Sequence, residues 1–253
     1  MKNIHKQVDE LERIPVKRTK GYFELNTLNE PVWIPDPLNG EAYMYQPTQS
    51  NLVNGYVSGC DPADHDYTDA GSSNLSFYIM KKQVGLTPPE IVFSYTCRPK
   101  KTDEFYEQAA FALMYYNDTK CLIENNRYGM IKYFEYQGWM RLLRLEPIQK
   151  NLTKKRQIPK VGIRKTTAST IEMERCINNY TTDYCDRIPE LELLEELKDY
   201  GTRNVDRAIA FGWTVVALDD EYKEAETQDK VKPIMPNFGI KRHNGKIVRY
   251  NSV

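Results

Sequence analysis

Residues 55–63 run Gly55-Tyr56-Val57-Ser58-Gly59-Cys60-Asp61-Pro62-Ala63, and the fold turns on them. The apolar stretch 52–60 predicts a β-strand whose alternation buries one face, and Pro62, with no backbone donor for a ladder, ends it. An acid is left at the strand tip, where ligands commonly bind in α/β sheets. Further along, 75–80 and 91–97 predict two more strands, the second reached through a turn containing Gly85 and Pro88-Pro89. Such close neighbours are most simply antiparallel. A helix over 103–116 places Phe105, Ala109, Ala112 and Leu113 on one side and takes Thr102 as its cap. A fourth strand at 121–123, a helix at 128–137 and a fifth strand at 141–145 follow. Three strands in meander, then helix, strand, helix, strand, predict an α/β fold: a mixed five-stranded sheet of order 3-2-1-4-5 flanked by helices.

The flanks are less regular. Residues 1–50 carry Pro31, Pro35, Pro37 and Pro47 with few periodic apolar positions, which predicts an extended arm or linker. Residues 51–221 form the expected main domain. Within them, 147–188 are basic and rich in Thr and Asn, and helices follow over 189–200 and 202–218. The second of these carries Val205, Ala208, Ile209, Gly212 and Val216 on its inward face. Glu192, Glu195, Glu196 and Asp199 read as a solvated face of the first. Residues 222–253 form a charged tail with a hairpin turn at Asn244-Gly245.

The 253 residues suit one substantial core, and 40% hydrophobic with 28% charged residues at zero formal net charge describe an ordinary globular chain. No apolar run is long enough to cross a bilayer and the first 20 residues lack the apolar centre of a signal peptide, so a cytosolic location and no membrane partner are expected. The five cysteines are never spaced C-x-x-C and the three histidines lie far apart, arguing against a disulfide framework or structural zinc. Positive charge gathers at Lys154, Lys155, Arg156, Lys160, Arg164 and Lys165, and again at Lys241, Arg242, Lys246 and Arg249. Either cluster suits a nucleic-acid backbone or a solvated surface.

Three acids carry the chemistry. Asp61 ends the first strand, Glu124 ends the fourth in Leu122-Ile123-Glu124-Asn125-Asn126, and Asp206 lies at the start of the last long helix. In the expected order the first and fourth strands are parallel neighbours, so Asp61 and Glu124 come side by side. Two such anions raise each other's pKa unless a cation neutralises them, and hard oxygen ligands without His or Cys select Mg²⁺ or Mn²⁺. Each acid also has an ordinary alternative: Asp before Pro forms turns, and Asp in a first helical turn answers the helix dipole. Glu124 is the most telling, because Glu ahead of Asn-Asn-Arg is a poor turn former.

Gly59-Cys60-Asp61-Pro62-Ala63, Ile123-Glu124-Asn125-Asn126-Arg127-Tyr128-Gly129 and Asn204-Val205-Asp206-Arg207-Ala208 resemble the nuclease domain of tailed-phage terminase large subunits, over about residues 50–220. The resemblance implies a ribonuclease H-like fold in which Asp61, Glu124 and Asp206 bind two Mg²⁺ or Mn²⁺ ions and cut concatemeric double-stranded viral DNA during genome packaging in the host cytoplasm. It implies double-stranded DNA, the terminase ATPase domain, the small terminase and the portal protein as partners. By the general two-metal scheme, Asp61 bridges the ions, Glu124 holds the one that activates water and Asp206 the one at the departing 3′ oxygen. The loop after the first motif departs from the commoner pattern and offers Asp64, Asp66 and Asp69 as a fourth ligand. No G-x-x-x-x-G-K-[ST] loop is present, since Gly239 to Lys246 has one residue too many and Ile247 in place of the hydroxyl. The nuclease part without its motor, and no ATP hydrolysis, are therefore expected. Lys165 and Arg175 are candidates for gripping the scissile backbone. A Holliday-junction resolvase needs similar acids, and a non-enzymatic docking module for DNA or portal would use the basic segments alone.

Overall fold

The computed structural model describes residues 2–13, 17–62, 74–147, 160–200, 205–230, 239–243 and 246–250. Two compact units are present, residues 1–219 and residues 220–253. The first is built on a seven-stranded sheet. Its strands are β1 (Thr19–Leu25), β2 (Pro31–Pro35), β3 (Ala42–Met44), β4 (Tyr56–Asp61), β5 (Leu75–Lys81), β6 (Glu90–Cys97) and β7 (Cys121–Ile123). They lie in the order β2-β1-β3-β6-β5-β4-β7.

The four strands β6-β5-β4-β7 keep the order expected for the first four, with β4 antiparallel to β5 and parallel to β7. The expected fifth strand is not formed as such. A 3₁₀ turn takes up Met140–Leu142, leaving single bridges from Leu143 to Cys121 and from Leu145 to Val161. The sheet grows instead at its other side, through residues expected to form an extended arm. The prolines of that segment do not oppose strand formation: Pro31 and Pro35 sit at the two ends of the edge strand β2, where a missing ladder donor does little harm. The arm is tied down further by Gln108, whose amide donates to the Phe23 carbonyl at 2.9 Å and accepts from the Phe23 N–H at 2.7 Å.

Helices cover both faces. On one lie α2 (Thr102–Tyr115) and α3 (Gly129–Tyr136), packed with Cys60, Leu75, Phe77, Ile79, Cys121 and Ile123. On the other lie α1 (Lys2–Arg13), α4 (Thr167–Tyr184), α5 (Leu191–Lys198) and α6 (Asp206–Lys230), packed with Val57, Tyr78, Met80 and Leu122. Strand β4 is consequently buried on both faces, not one. The Thr/Asn-rich stretch supplies α4, started by a reciprocal cap between Thr166 and Ser169. All five cysteines are buried thiols outside any disulfide. Among the described residues no helix is long and apolar enough to cross a membrane. In the second unit β8 (Gly239–His243) pairs antiparallel with β9 (Lys246–Tyr250); the expected turn at Asn244-Gly245 lies outside the described residues.

Candidate metal centre

Period-2 alternation decides where the acids point. Val57 and Leu122 face the core shared with α6, whereas Cys60, Cys121 and Ile123 face α2. Asp61, four residues beyond Val57, and Glu124, two beyond Leu122, therefore project to the α6 side. Their strands are parallel neighbours with Cys60 opposite Ile123, and the Glu124 N–H donates to the Cys60 carbonyl at 3.2 Å. One step further along this register the two acids stand opposite one another, on strands about 4.8 Å apart.

Asp206 reaches the same rim because α6 crosses β4 at Gly59. A Cβ on Gly59 would collide with the Thr214 backbone nitrogen and lie 2.7 Å from the Ala210 carbonyl. Ala210 is one turn after Asp206, and Asp61 is two residues after Gly59, so helix start and strand tip coincide. The Asp206 carboxylate is stapled there by the Asn74 N–H at 2.7 Å, next to Ser76, the partner of Asp61 across β5.

The α6 start is fixed by a buried network that sequence reasoning missed. Arg207 donates to Glu190 and Glu196 at 3.0 Å each, Glu190 also accepts from the Tyr78 hydroxyl at 2.8 Å, and Glu196 caps the Ala208 N–H at 3.1 Å. Glu196 is thus buried and does not join the solvated face expected for it. It faces a helix N-terminus that the sequence of α5 alone does not reveal.

The rim is electrostatically unsettled. Burial first, then Glu124 and Asp206, push the Asp61 carboxyl up to about 7, against the opposing pull of Lys165 and Arg127. Glu124 is buried, and its Oε2 has no hydrogen-bond partner; the Lys165 ammonium stands 3.7 Å away. Arg127 donates to the Pro62 carbonyl at 3.1 Å, holding the chain where it leaves β4. Its position three residues after Glu124 was visible in the sequence, but the contact depends on a tertiary fold.

Arg175 lies elsewhere. It pairs with Glu172 at 2.7 Å and with Asp219 at 2.8 Å, and Asp219 is thirteen residues, roughly 20 Å of helix, beyond Asp206. The ligand atoms of Glu172, Cys176 and Asp219 lie within 4.8 Å of one another, with Arg175 already bridging the two carboxylates. The fourth-ligand candidates Asp64, Asp66 and Asp69, and the basic residues Lys154, Lys155 and Arg156, lie outside the described residues.

No protein-family model and no curated protein matches the sequence. Solved structures do. The large terminase nuclease from thermophilic phage G20c with bound magnesium superposes with a TM-score of 0.51 at 9% identity, over 84% of this chain and 96% of that one. The same nuclease with bound cobalt gives 0.50 at 10% identity, over 72% and 90%. The fold is that of a large terminase nuclease. The likeness is one of architecture, a ribonuclease H-like mixed sheet flanked by helices, since nine residues in ten differ.

Proposed function

We propose that this chain is a divalent-metal-dependent endonuclease that cuts double-stranded DNA, in the setting of viral genome packaging. One observation carries the reading: Asp61, Glu124 and Asp206, from three separate elements, meet at one rim where a buried carboxylate oxygen lacks a hydrogen-bond partner. Burying an uncompensated anion is costly, and an all-oxygen donor set suits Mg²⁺ or Mn²⁺. The G20c nuclease has been solved with magnesium and with cobalt bound, which supports a divalent ion on this fold.

Asp61, close enough to feel the charge of both other acids, would be shared by two ions, with Glu124 and Asp206 as the outer ligands. Ions held there supply a water of lowered pKa and stabilise charge on the departing oxygen. The protein's own part is placement. The β4–β7 ladder fixes Asp61 against Glu124, the Gly59 crossing brings Asp206 to Asp61, and Arg127 secures the exit of β4. Lys165 offers positive charge at the mouth for a DNA phosphate. Contacts to phosphate carry no base information, so cutting is weakly sequence-selective and strongly salt-dependent. The terminase ATPase, small terminase and portal protein are the assembly partners under this reading.

The test is Mn²⁺-dependent nicking and linearisation of plasmid by Asp61→Asn, with the fold checked by circular dichroism. We expect cutting to fall at least about a thousandfold, the scale on which loss of a central electrostatic group acts. Undiminished cutting would remove the assignment. Linear duplex should be cut at least as well as a four-way junction; strong preference for the junction would move the substrate class to branched DNA.

A further inference from the structure

Glu124-Asn125-Asn126 does more than supply an acid. The Asn125 N–H donates to the Ile163 carbonyl at 2.9 Å, and its side-chain amide donates to the Val161 carbonyl at 2.9 Å. Asn126 then grips the backbone of Lys165 from both sides, accepting from its N–H at 3.2 Å and donating to its carbonyl at 3.4 Å. Gly162 makes the approach feasible. Its φ is +72°, and a Cβ there would run into the Ile123 carbonyl, so segment 160–165 lies tight against the end of β7 only because that position has no side chain. The two asparagines thereby deliver one particular cation to the acid that precedes them.

The delivered pair is unequal. The Glu124 side chain is 8% exposed and cannot leave, whereas that of Lys165 is 40% exposed. At 3.7 Å the contact is an ion pair without a hydrogen bond. An ion pair this long, with one long flexible partner reaching solvent, is weak and easily exchanged. A buried carboxylate oxygen with no hydrogen-bond partner is nevertheless better off near that ammonium than with none.

We propose that Lys165, delivered by Asn126, is the built-in counter-cation of Glu124, and that a divalent ion displaces it and frees its ammonium for a DNA phosphate. This rests on the metal-site reading above and adds a coupling to it. Metal and lysine compete for one carboxylate, so metal binding raises affinity for the DNA backbone, and DNA raises affinity for metal by the same factor. Without DNA the lysine resists loading of the metal; with DNA the resistance is lifted, because the ammonium has another anion to meet. Asn126 is a positioning residue in this scheme.

The experiment is Mn²⁺ affinity of the full chain, read from the electron-paramagnetic signal of free Mn²⁺, without DNA. Lys165→Met keeps the length and loses the charge; it should tighten Mn²⁺ binding about five- to tenfold, roughly 1 kcal/mol of relieved competition. Lys165→Arg keeps the charge but can hold the carboxylate with two donors, and should weaken Mn²⁺ binding about twofold or more. A mere background field would leave Lys165→Arg equal to the unaltered chain. Asn126→Ala should shift affinity in the same direction as Lys165→Met, by less. Lys165→Met within twofold of the unaltered chain overturns the proposal, and leaves the metal site standing if Asp61→Asn abolishes Mn²⁺ binding. Absence of Mn²⁺ binding in the unaltered chain would overturn both.

Discussion

Asp206 and Arg207 are neighbours in sequence, both close to buried acids, and their surroundings could hardly differ more. Arg207 belongs to a closed account of charge: two carboxylates, a tyrosine hydroxyl and a helix N–H all find partners at 2.8–3.1 Å. One residue earlier, Asp206 turns toward a rim where Asp61 is pushed up to about 7 and a Glu124 oxygen lacks a hydrogen bond. Satisfied buried charge fixes a structure, whereas unsatisfied buried charge marks a place where something from outside the chain is accommodated. Here the first kind is built directly beneath the second. The network holds the start of α6 still, so that strained carboxylates can be kept together without the helix moving to relieve them.

The comparison breaks most sharply if the network is opened. Arg207→Ala leaves Glu190 and Glu196 buried without their cation, and losing one partner of a buried charge cluster typically destabilises by about 3–5 kcal/mol. Urea denaturation should show a loss of this size, far above that for any single rim acid. A loss below about 1 kcal/mol would mean that the network is not the anchor of α6.

Gly59 tests whether the regions are mechanically joined. A methyl group there meets backbone atoms of Ala210 and Thr214, which cannot yield as a side chain would, so Gly59→Ala should cost about 3 kcal/mol, the upper end for overpacking. It should also weaken Mn²⁺ binding, because α6 must lift and carry Asp206 from Asp61. Lower stability with unaltered Mn²⁺ affinity would separate helix packing from the site.

Much of this could be seen in the chain itself, for identifiable reasons. Period-2 apolar runs bounded by Pro62 and Pro88-Pro89 marked β4, β5 and β6, and their local pairing gave the order up to β7. The inward positions Val205, Ala208, Ile209 and Val216 are all buried, since helical spacing is a local property. What escaped depends on distant partners. Strands β2 and β3 are short, and β1–β3 are tied to the rest of the sheet only through the pairing of β3 with β6; α4 is poor in strong helix formers and is held by its cap and by packing. Glu196 looked like one more exposed acid until the start of α6 was set against it. Asp61, Glu124 and Asp206 come from elements that the sheet order and α6 bring to one rim, while the partners of Lys165 and Arg127 required contacts no spacing encodes.

The smallest effect carries the most information about the rim. The Asp61 carboxyl sits near 7 in the folded protein and about 3.9 in an unfolded chain. Below pH 4 both states hold the proton and Asp61 contributes nothing to pH dependence. Between 4 and 7 the folded state retains a proton that the unfolded state has released, so stability falls as pH rises, and above 7 the full penalty is present. With allowance for the partial exposure of this residue, the penalty is on the order of 1–2 kcal/mol. Asp61→Asn removes it. In EDTA the variant should therefore melt higher than the unaltered chain at pH 8, by a margin that narrows as pH falls and shrinks toward zero at pH 4. Mg²⁺ at pH 8 should then raise the melting temperature of the unaltered chain and not that of the variant, reversing their order. Arg207→Ala should show no such reversal, since its missing charge belongs to a network with no place for an ion. A margin independent of both pH and Mg²⁺ would put the rim in the same class as the network below it, as structural charge with no ligand to await.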